Sequence, residues 1–417
     1  MRAETAGNQQ LIKFINRMAL VRCLCSNPGL SRADLAPAVD LTKSTVSLLV
    51  RELIAEGWMV ERDMVTTGEL GRRPTPLFID PSRLVLLGAE VGVGSVRVVA
   101  TTLTGEVLAR TVGNFGSGLT VKECLNSLVA GLQRVRKQLK PAQKIIGIGV
   151  GLPGGVEEAT GVLQLAPNLG WRDVPFAALL REKLKGSLLA DAPLFVQNEA
   201  DVAAVGEQEF NPTPASSPLL YVSINHGVGA GVIVNDRLLT GSRGFAGEVG
   251  HMVLQVNGPL CTCGRRGCAE ALIGLRALHQ LPSPHERGLV ADPLADVQRR
   301  LAEQHGDTVR AVAIAGSYLG VLLQNLASAY DPGCIVLGGA VVALGDCFLK
   351  PALQTLSDYA TAANLILPTV RISHFGADAV AVGAAGLARY RLTRPIIRTT
   401  SNGKVAIAPV QTEQPTP

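Results

Sequence analysis

Aromatic residues are scarce in this chain. Phe, Trp and Tyr make up 4% of 417 residues, and only two are tryptophan. A core with so few large rings must be filled by small and branched aliphatic side chains. The 45 glycines, beside much Ala, Val and Leu, suit helices packed closely on sheets in an α/β arrangement. Charged residues are also few, at 18% against 47% hydrophobic, the proportions of a folded soluble protein. No run of about 18 or more uncharged apolar residues stands out, so no membrane insertion is expected. The opening Met-Arg-Ala-Glu-Thr-Ala-Gly-Asn-Gln-Gln lacks the apolar core of a secretion signal. A dominant charge sign is missing as well. The net charge of +5 says little about a nucleic-acid partner. The length allows two or three domains.

The densest chemistry lies between Glu248 and Glu270. Glu248-Val-Gly-His251 is followed after nine residues by Cys261-Thr-Cys263-Gly-Arg-Arg-Gly-Cys268-Ala-Glu270. Three of the eight cysteines fall within eight residues. His251, Cys261, Cys263 and Cys268 form a three-thiolate, one-imidazole set of the kind that structural zinc uses, with Gly258 and Gly264 providing tight turns. Metal-type spacing implies reduced thiols and a cytoplasmic setting. An ion here would fix Glu248 and Glu270 at the edges of the knuckle.

Residues 8–80 follow a different plan. Leu11, Ile12, Ile15, Met18, Ala19 and Cys23 recur at helical spacing until Asn27-Pro28-Gly29. Ser31-Arg-Ala-Asp34 opens a second helix as a capping box, with Pro37 shortening or kinking it. Thr42 caps a third helix over 43–56, which buries Val46, Leu49, Val50 and Leu53 and ends at Gly57. Two strands around the loop 66–73 complete a winged helix-turn-helix, a DNA-binding plan. Lys43, Ser44, Thr45, Ser47 and Arg51 are the expected major-groove face, and Arg72 and Arg73 are candidates for a narrow minor groove. With ten Lys/Arg against nine Asp/Glu in residues 1–80, affinity for double-stranded operator DNA would depend on where charges lie and on dimerisation.

Beyond a boundary at Pro81-Ser82, two α/β halves are expected. The first covers 84–210, the second 219–395, with a Pro/Ser-rich loop between them and a flexible tail at 398–417. Strands are expected near 85–93, 95–100, 107–112 and 145–151, and a helix over 119–139. The second half repeats the order with strands near 219–224, 230–234 and 334–339, and helices near 309–330 and 376–390.

The segment from Gly227 through Glu270 resembles the signature of the ROK family of repressors, open reading frames and sugar kinases. The resemblance covers roughly 84–390. It implies an actin-like, hexokinase-like (ribonuclease H-like) ATPase fold of two lobes around a cleft. It also implies that His251, Cys261, Cys263 and Cys268 bind Zn2+ and that the knuckle lines a sugar pocket. By the same resemblance, Gly154, Asn168, Asn198, Glu199, Glu248, His251 and Glu270 are the sugar-binding candidates, for a glucose-type, xylose-type or N-acetylated hexose effector. Repressors of the family carry a winged helix in front and end it with a similar Gly-Arg-Arg-Pro.

The family's kinases use Asp-x-Gly-Gly-Thr-Lys for phosphate. Here Glu90-Val-Gly-Val-Gly94-Ser95 stands in its place, Asn225-His226-Gly227 replaces Gly-Thr-Gly, and Glu199 replaces the catalytic aspartate. Phosphoryl transfer depends on electrostatic stabilisation of the phosphates, so these departures favour a sugar-responsive regulator without kinase activity. A dimer or tetramer acting on palindromic half-sites is expected. The alternatives are an ATP-dependent sugar kinase with an accessory N-terminal domain, and a sensor that binds a protein partner, such as a transport component, in place of a sugar.

Overall fold

A computed structural model of the chain describes residues 9–62, 75–116, 118–211, 216–279, 292–394, 397–399 and 405–407. The chain starts with three helices, α1 (Gln9–Ser26), α2 (Arg32–Ala38) and α3 (Lys43–Ala55), and a two-stranded wing, β1 (Met59–Glu61) against β2 (Leu77–Ile79). Local chemistry sets these boundaries. Ser31 and Asp34 form a reciprocal capping box at the start of α2, and Thr42 accepts the Thr45 N–H at the start of α3. Pro37 lies within α2 near the end of its seven residues, where it keeps the helix short.

The first lobe contains β3 (Leu84–Val91), β4 (Ser95–Thr102), β5 (Val107–Asn114), α4 (Val121–Gln138), β6 (Lys144–Leu152), a small sheet of β7 (Gly155–Glu157), β8 (Val162–Ala166) and β9 (Trp171–Val174), then α5 (Phe176–Leu184), β10 (Leu194–Asn198) and α6 (Glu199–Phe210). The second contains β11 (Leu219–Ile224), β12 (Val228–Val234), β13 (Arg237–Leu238), α7 (Ala269–Ile273), α8 (Leu275–His279), α9 (Pro293–Ala302), α10 (Gly306–Tyr330), β14 (Cys334–Gly338), α11 (Asp346–Ala363) and β15 (Thr369–Ile372). Each lobe is built on a five-stranded sheet. The orders β5-β4-β3-β6-β10 and β13-β12-β11-β14-β15 match strand for strand: an antiparallel three-strand meander, then two parallel strands. The repeat expected from the sequence is therefore a repeat of topology.

Two helices tie the lobes together. After β15 the chain returns to the first lobe as α12 (Ala379–Thr393), whose residues from Ala379 to Tyr390 are all buried. It lies so close to the first sheet that a Cβ on Gly88 would come within 1.9 Å of the Ala381 carbonyl oxygen. Helix α6 packs on α12 and also on the second sheet, where a Cβ on Gly231 would sit 2.4 Å from the Ala200 carbonyl oxygen. Fully buried Glu207 of α6 accepts from Arg371 of β15 and from the Ser373 hydroxyl, both at 2.6 Å, which anchors α6 to the second lobe.

The winged helix is not suspended on a linker. Leu20, Leu24 and Leu53 share one apolar cluster with Leu86, Val99, Phe210 and Ala385 of the first lobe and α12. The ends of α1, α2, α6 and α12 meet at a cavity of about 500 Å³. Helix C-termini carry partial negative charge, and arginines compensate it. Arg22 donates to the Thr393 carbonyl. Arg389 donates to Glu209 Oε2 at 2.6 Å and to the Leu103 carbonyl at 2.7 Å. Arg394 pairs with Glu209 and Asp236, each at 2.7 Å.

Helix α10 is long and apolar enough to cross a membrane by length and composition alone, although Asp307, Arg310, Ser317, Gln324 and Asn325 interrupt its apolar residues, so no uncharged apolar run of about 18 residues appears in it. It packs on α11, and its Val312, Leu319, Leu322, Leu323 and Leu326 lie in the second lobe's core. Within the expected tail, β16 (Ile397–Thr399) pairs with β17 (Val405–Ile407).

Candidate sugar, metal and DNA sites

The four candidate metal ligands come from three local structures. His251 ends a single 3-10 turn, Val249–His251, while Cys261 and Cys263 lie in the knuckle and Cys268 caps α7. Two glycines of the knuckle have the left-handed backbone that favours glycine: Gly264 at φ +86° and Gly267 at φ +71°. A Cβ on Gly267 would fall 1.6 Å from the Gln255 carbonyl oxygen. Gly258 closes a turn, its N–H donating to the Gln255 carbonyl at 3.1 Å, and is also enclosed, since its Cβ would meet the Gly267 Cα at 2.9 Å. The four donor atoms lie within 4.8 Å of one another. Cys261 Sγ is 3.7 Å from His251 Nδ1, and Cys263 Sγ is 3.7 Å from Cys268 Sγ. A tetrahedral zinc with Zn–S of about 2.3 Å has edges of about 3.8 Å, so the spacing fits. It is far from the ~2.05 Å of a disulfide.

The knuckle reaches the cleft through Glu270, in the first turn of α7. Its Oε1 accepts from the Thr262 hydroxyl at 2.9 Å, and its Oε2 accepts from the Val228 N–H at 3.4 Å. Thr262 lies between two metal ligands and was not a sequence candidate. His251 Nε2 is 3.9 Å from Glu248, on the side away from the cysteines. Asn168, from the β8–β9 turn of the first lobe, meets Glu270 across Gly227, where an added Cβ would be 3.4 Å from Asn168 Nδ2 and 2.8 Å from Glu270 Oε2.

Opposite the knuckle stands the N-terminus of α6. Asn198 is its cap: Oδ1 accepts from Ala200 N at 2.7 Å and Asp201 N at 3.3 Å, and Nδ2 donates to the Gly154 carbonyl at 2.9 Å. Much of its hydrogen-bonding capacity is thus structural. Gly154 was expected to admit a sugar ring. At φ +95° its Cβ would instead collide with the β8 backbone, 2.1 Å from the Leu165 carbonyl oxygen.

Carboxylates crowd the cleft. Burial, and then the charges of Glu90, Glu248 and Glu270, raise Glu199 to about 8. Burial raises Glu90 to about 7, opposed by Arg97 at 3.5 Å. Both side chains keep some surface on the cleft, so solvent moderates these shifts. Burial and Glu270 also raise Glu248. Asp201, missed from the sequence, is buried and raised well above the usual carboxylate range by burial and then by Glu248. An acid among Ala200, Val202, Ala203, Ala204 and Val205 was the available signal. Arg97 also bridges to Asp378 at 2.9 Å.

On the winged helix, Lys43, Ser44 and Arg51 project from α3 into solvent. Thr45 and Ser47 are half-buried. The Thr45 hydroxyl lies 2.8 Å from that of Thr42, and the Ser47 carbonyl accepts from Arg32 at 3.4 Å. Arg72 and Arg73 lie outside the described residues. Leu48, absent from the sequence candidates, is also exposed on α3. Arg62 lies over the Phe78 ring on the wing at 4.8 Å.

The ROK family profile matches residues 86–391, and a winged helix-turn-helix DNA-binding profile matches 15–58. The chain belongs to the ROK family. A protein named putative xylose repressor from Caldicellulosiruptor sp. is 33% identical over 82% of this chain and 88% of its own length. A protein named glucokinase from Halalkalibacterium halodurans is 30% identical over 73% of this chain and 94% of its own. A solved ROK transcriptional regulator, a homologue of the E. coli MLC protein, shares the fold over 92% of this ROK chain and 97% of its own, with 23% identity and a TM-score of 0.72. Both the repressor-like and the kinase-like relatives align with the sugar domain of this ROK chain.

Proposed function

We propose that this ROK chain is a sugar-responsive transcriptional repressor of the cytoplasm, and that its sugar domain binds a monosaccharide without phosphorylating it. One observation carries this: a winged helix with an exposed polar recognition face is joined to a cleft that keeps its sugar-side acids and amides but holds Glu90 where the kinases place their phosphate-loop aspartate. Glu90 lies near Glu199, and burial raises both carboxyls toward the neutral form. Neither Gly94 nor Ser95 supplies a cation for phosphate, and phosphoryl transfer without such groups loses its main stabilisation.

Asn168, Glu248, His251 and Glu270 would take sugar hydroxyls, with Glu199 beside them and Asn198 holding α6 in place. Where bound at His251, Cys261, Cys263 and Cys268, zinc would be structural, because four protein ligands leave no open position. Sugar would favour one lobe arrangement over another, and α6 and α12 would carry the difference to the winged helix. In a homodimer or homotetramer this would change the spacing of recognition helices on double-stranded operator DNA.

The Caldicellulosiruptor relative, named a putative xylose repressor, makes xylose the first sugar to test. Calorimetry with xylose and a panel of pentoses, hexoses and N-acetylated sugars should give one or two binders. The binder should weaken DNA binding by the full-length chain. Steady ADP production that depends on the bound sugar, and is lost in Glu199→Ala, would overturn the non-kinase reading.

A further inference from the structure

The exposed side of α3 carries one residue that its polar neighbours do not explain. Successive helical residues turn by about 100°, so Ser44, Leu48, Arg51 and Ala55 form one stripe. That stripe lies opposite the buried Val46, Leu49, Val50 and Leu53. Leu48 is 51% exposed, and of the described residues of the winged helix only Ile12, on α1, is a comparably exposed large aliphatic. A lone surface leucine is ordinary. What sets Leu48 apart is its position: sixth in a helix capped by Thr42, with Ser44 one turn before it and Arg51 one turn after. Recognition helices present base-contacting residues from their N-terminal part.

We propose that Leu48 reads the 5-methyl group of a thymine in the major groove. Serine and arginine can exchange hydrogen bonds with base edges, whereas leucine offers only apolar surface. The thymine methyl is the one sizeable apolar group among the base edges in that groove. Bringing the two together removes both surfaces from water, while cytosine or a purine at that position leaves the leucine against polar atoms. Specificity at this base pair then comes from van der Waals fit, and Ser44, Ser47 and Arg51 set the register around it.

This assignment rests on the winged helix binding DNA, and the experiment separates the two claims. The full-length chain is used to select duplexes from a random-sequence library. Each thymine of the enriched site is then replaced by deoxyuridine, which removes the methyl and leaves every hydrogen-bonding group. Wild type should lose roughly fourfold in affinity at one thymine per half-site, the transfer of one methyl-sized group. Leu48→Ala, on an exposed position and with an unchanged melting temperature, should bind the thymine site more weakly and show no uracil penalty there. Leu48→Met keeps apolar contact and should keep the penalty. Equal uracil penalties in wild type and Leu48→Ala at every thymine, or none in wild type, would overturn the assignment. Failure to enrich any sequence would defeat the DNA-binding reading, and this assignment with it.

Discussion

Replacing Thr262 by valine should separate the metal knuckle from the sugar cleft. The hydroxyl of Thr262 donates to Glu270 Oε1 at 2.9 Å, and the carboxylate's other oxygen has a longer bond, 3.4 Å, from Val228 N. Glu270 is 9% exposed, so little water can replace the lost donor. Valine matches threonine in shape, and Cys261 and Cys263 on either side keep their positions. Hydrogen bonds to charged groups contribute about 1.5–3 kcal/mol, and a sugar that needs Glu270 in one orientation loses that amount when the carboxylate swings. The expected change is roughly a ten- to 150-fold rise in Kd. Calorimetry with the best sugar measures it, and metal analysis on the same sample checks that zinc content is unchanged. Thr262→Ser should restore most of the affinity, because it restores the donor. A valine variant that keeps its metal and binds sugar within twofold of wild type would refute the link.

Three further outcomes follow from the same contacts. Cys261→Ser should release metal and loosen the Glu270 side of the cleft, so metal content and sugar affinity should fall together; under half an equivalent of zinc in reduced wild type would count against a metal site. Arg389→Met should cost about 3 kcal/mol in chemical denaturation, the low end for breaking a buried pair, because Arg394 still neutralises Glu209; a change under ~1 kcal/mol would show that the seam does not hold the domains. The third concerns pH: Glu199 and Glu90 are raised in the folded state, so that state holds more protons than the unfolded chain between pH ~4.5 and ~8. The stability they contribute is complete below that window and is lost as pH rises through it. The melting temperature should fall across the window and Glu199→Gln should flatten the fall, whereas an identical slope in wild type and variant would contradict the shift.

The parts legible in the sequence were those fixed by near neighbours. The Ser31–Asp34 box, the Thr42 cap and the Cys261–Cys268 knuckle each sit within a few residues, and all three occur where their spacing indicated. Repeated apolar runs indicated β3, β4, β5 and β6 in the first lobe and β11, β12 and β14 in the second, whereas β10, β13 and β15, which complete the matching orders, were not expected. What the sequence hid depends on distant partners. Glu207 and Glu209 look like surface acids of a polar helix, yet Arg371, Ser373 and Arg389 lie more than 160 residues away along the chain. Helix α11 was missed; Pro351, its sixth residue, forgoes one i→i−4 hydrogen bond and reads as a break, yet the helix continues through it. Gly154 was recognised as special, but the close approach it permits is to the β8 backbone.

On the proposed reading, the same distant contacts would carry the sugar signal without any catalytic step. Helix α6 begins at Glu199 in the carboxylate cleft and ends beside Glu209 at the winged-helix seam, a span of about 17 Å for twelve residues. Its C-terminal half is fixed to the second lobe by Glu207, and the helix packs on α12. A change in lobe arrangement at the first end must therefore be accommodated at the second, or strain the contact between α6 and α12, where a Cβ on Gly206 would come 2.7 Å from the Gly383 Cα. Turnover requires both sugar and phosphate to be stabilised in the transition state, whereas regulation requires only that sugar bind one arrangement better than another. On the proposed reading, the change of the phosphate-loop cation and aspartate would remove catalysis and leave the linkage intact. Losing Arg22, Arg389 or Arg394 would do the reverse, leaving a chain that binds sugar but no longer transmits it to the DNA-binding helices.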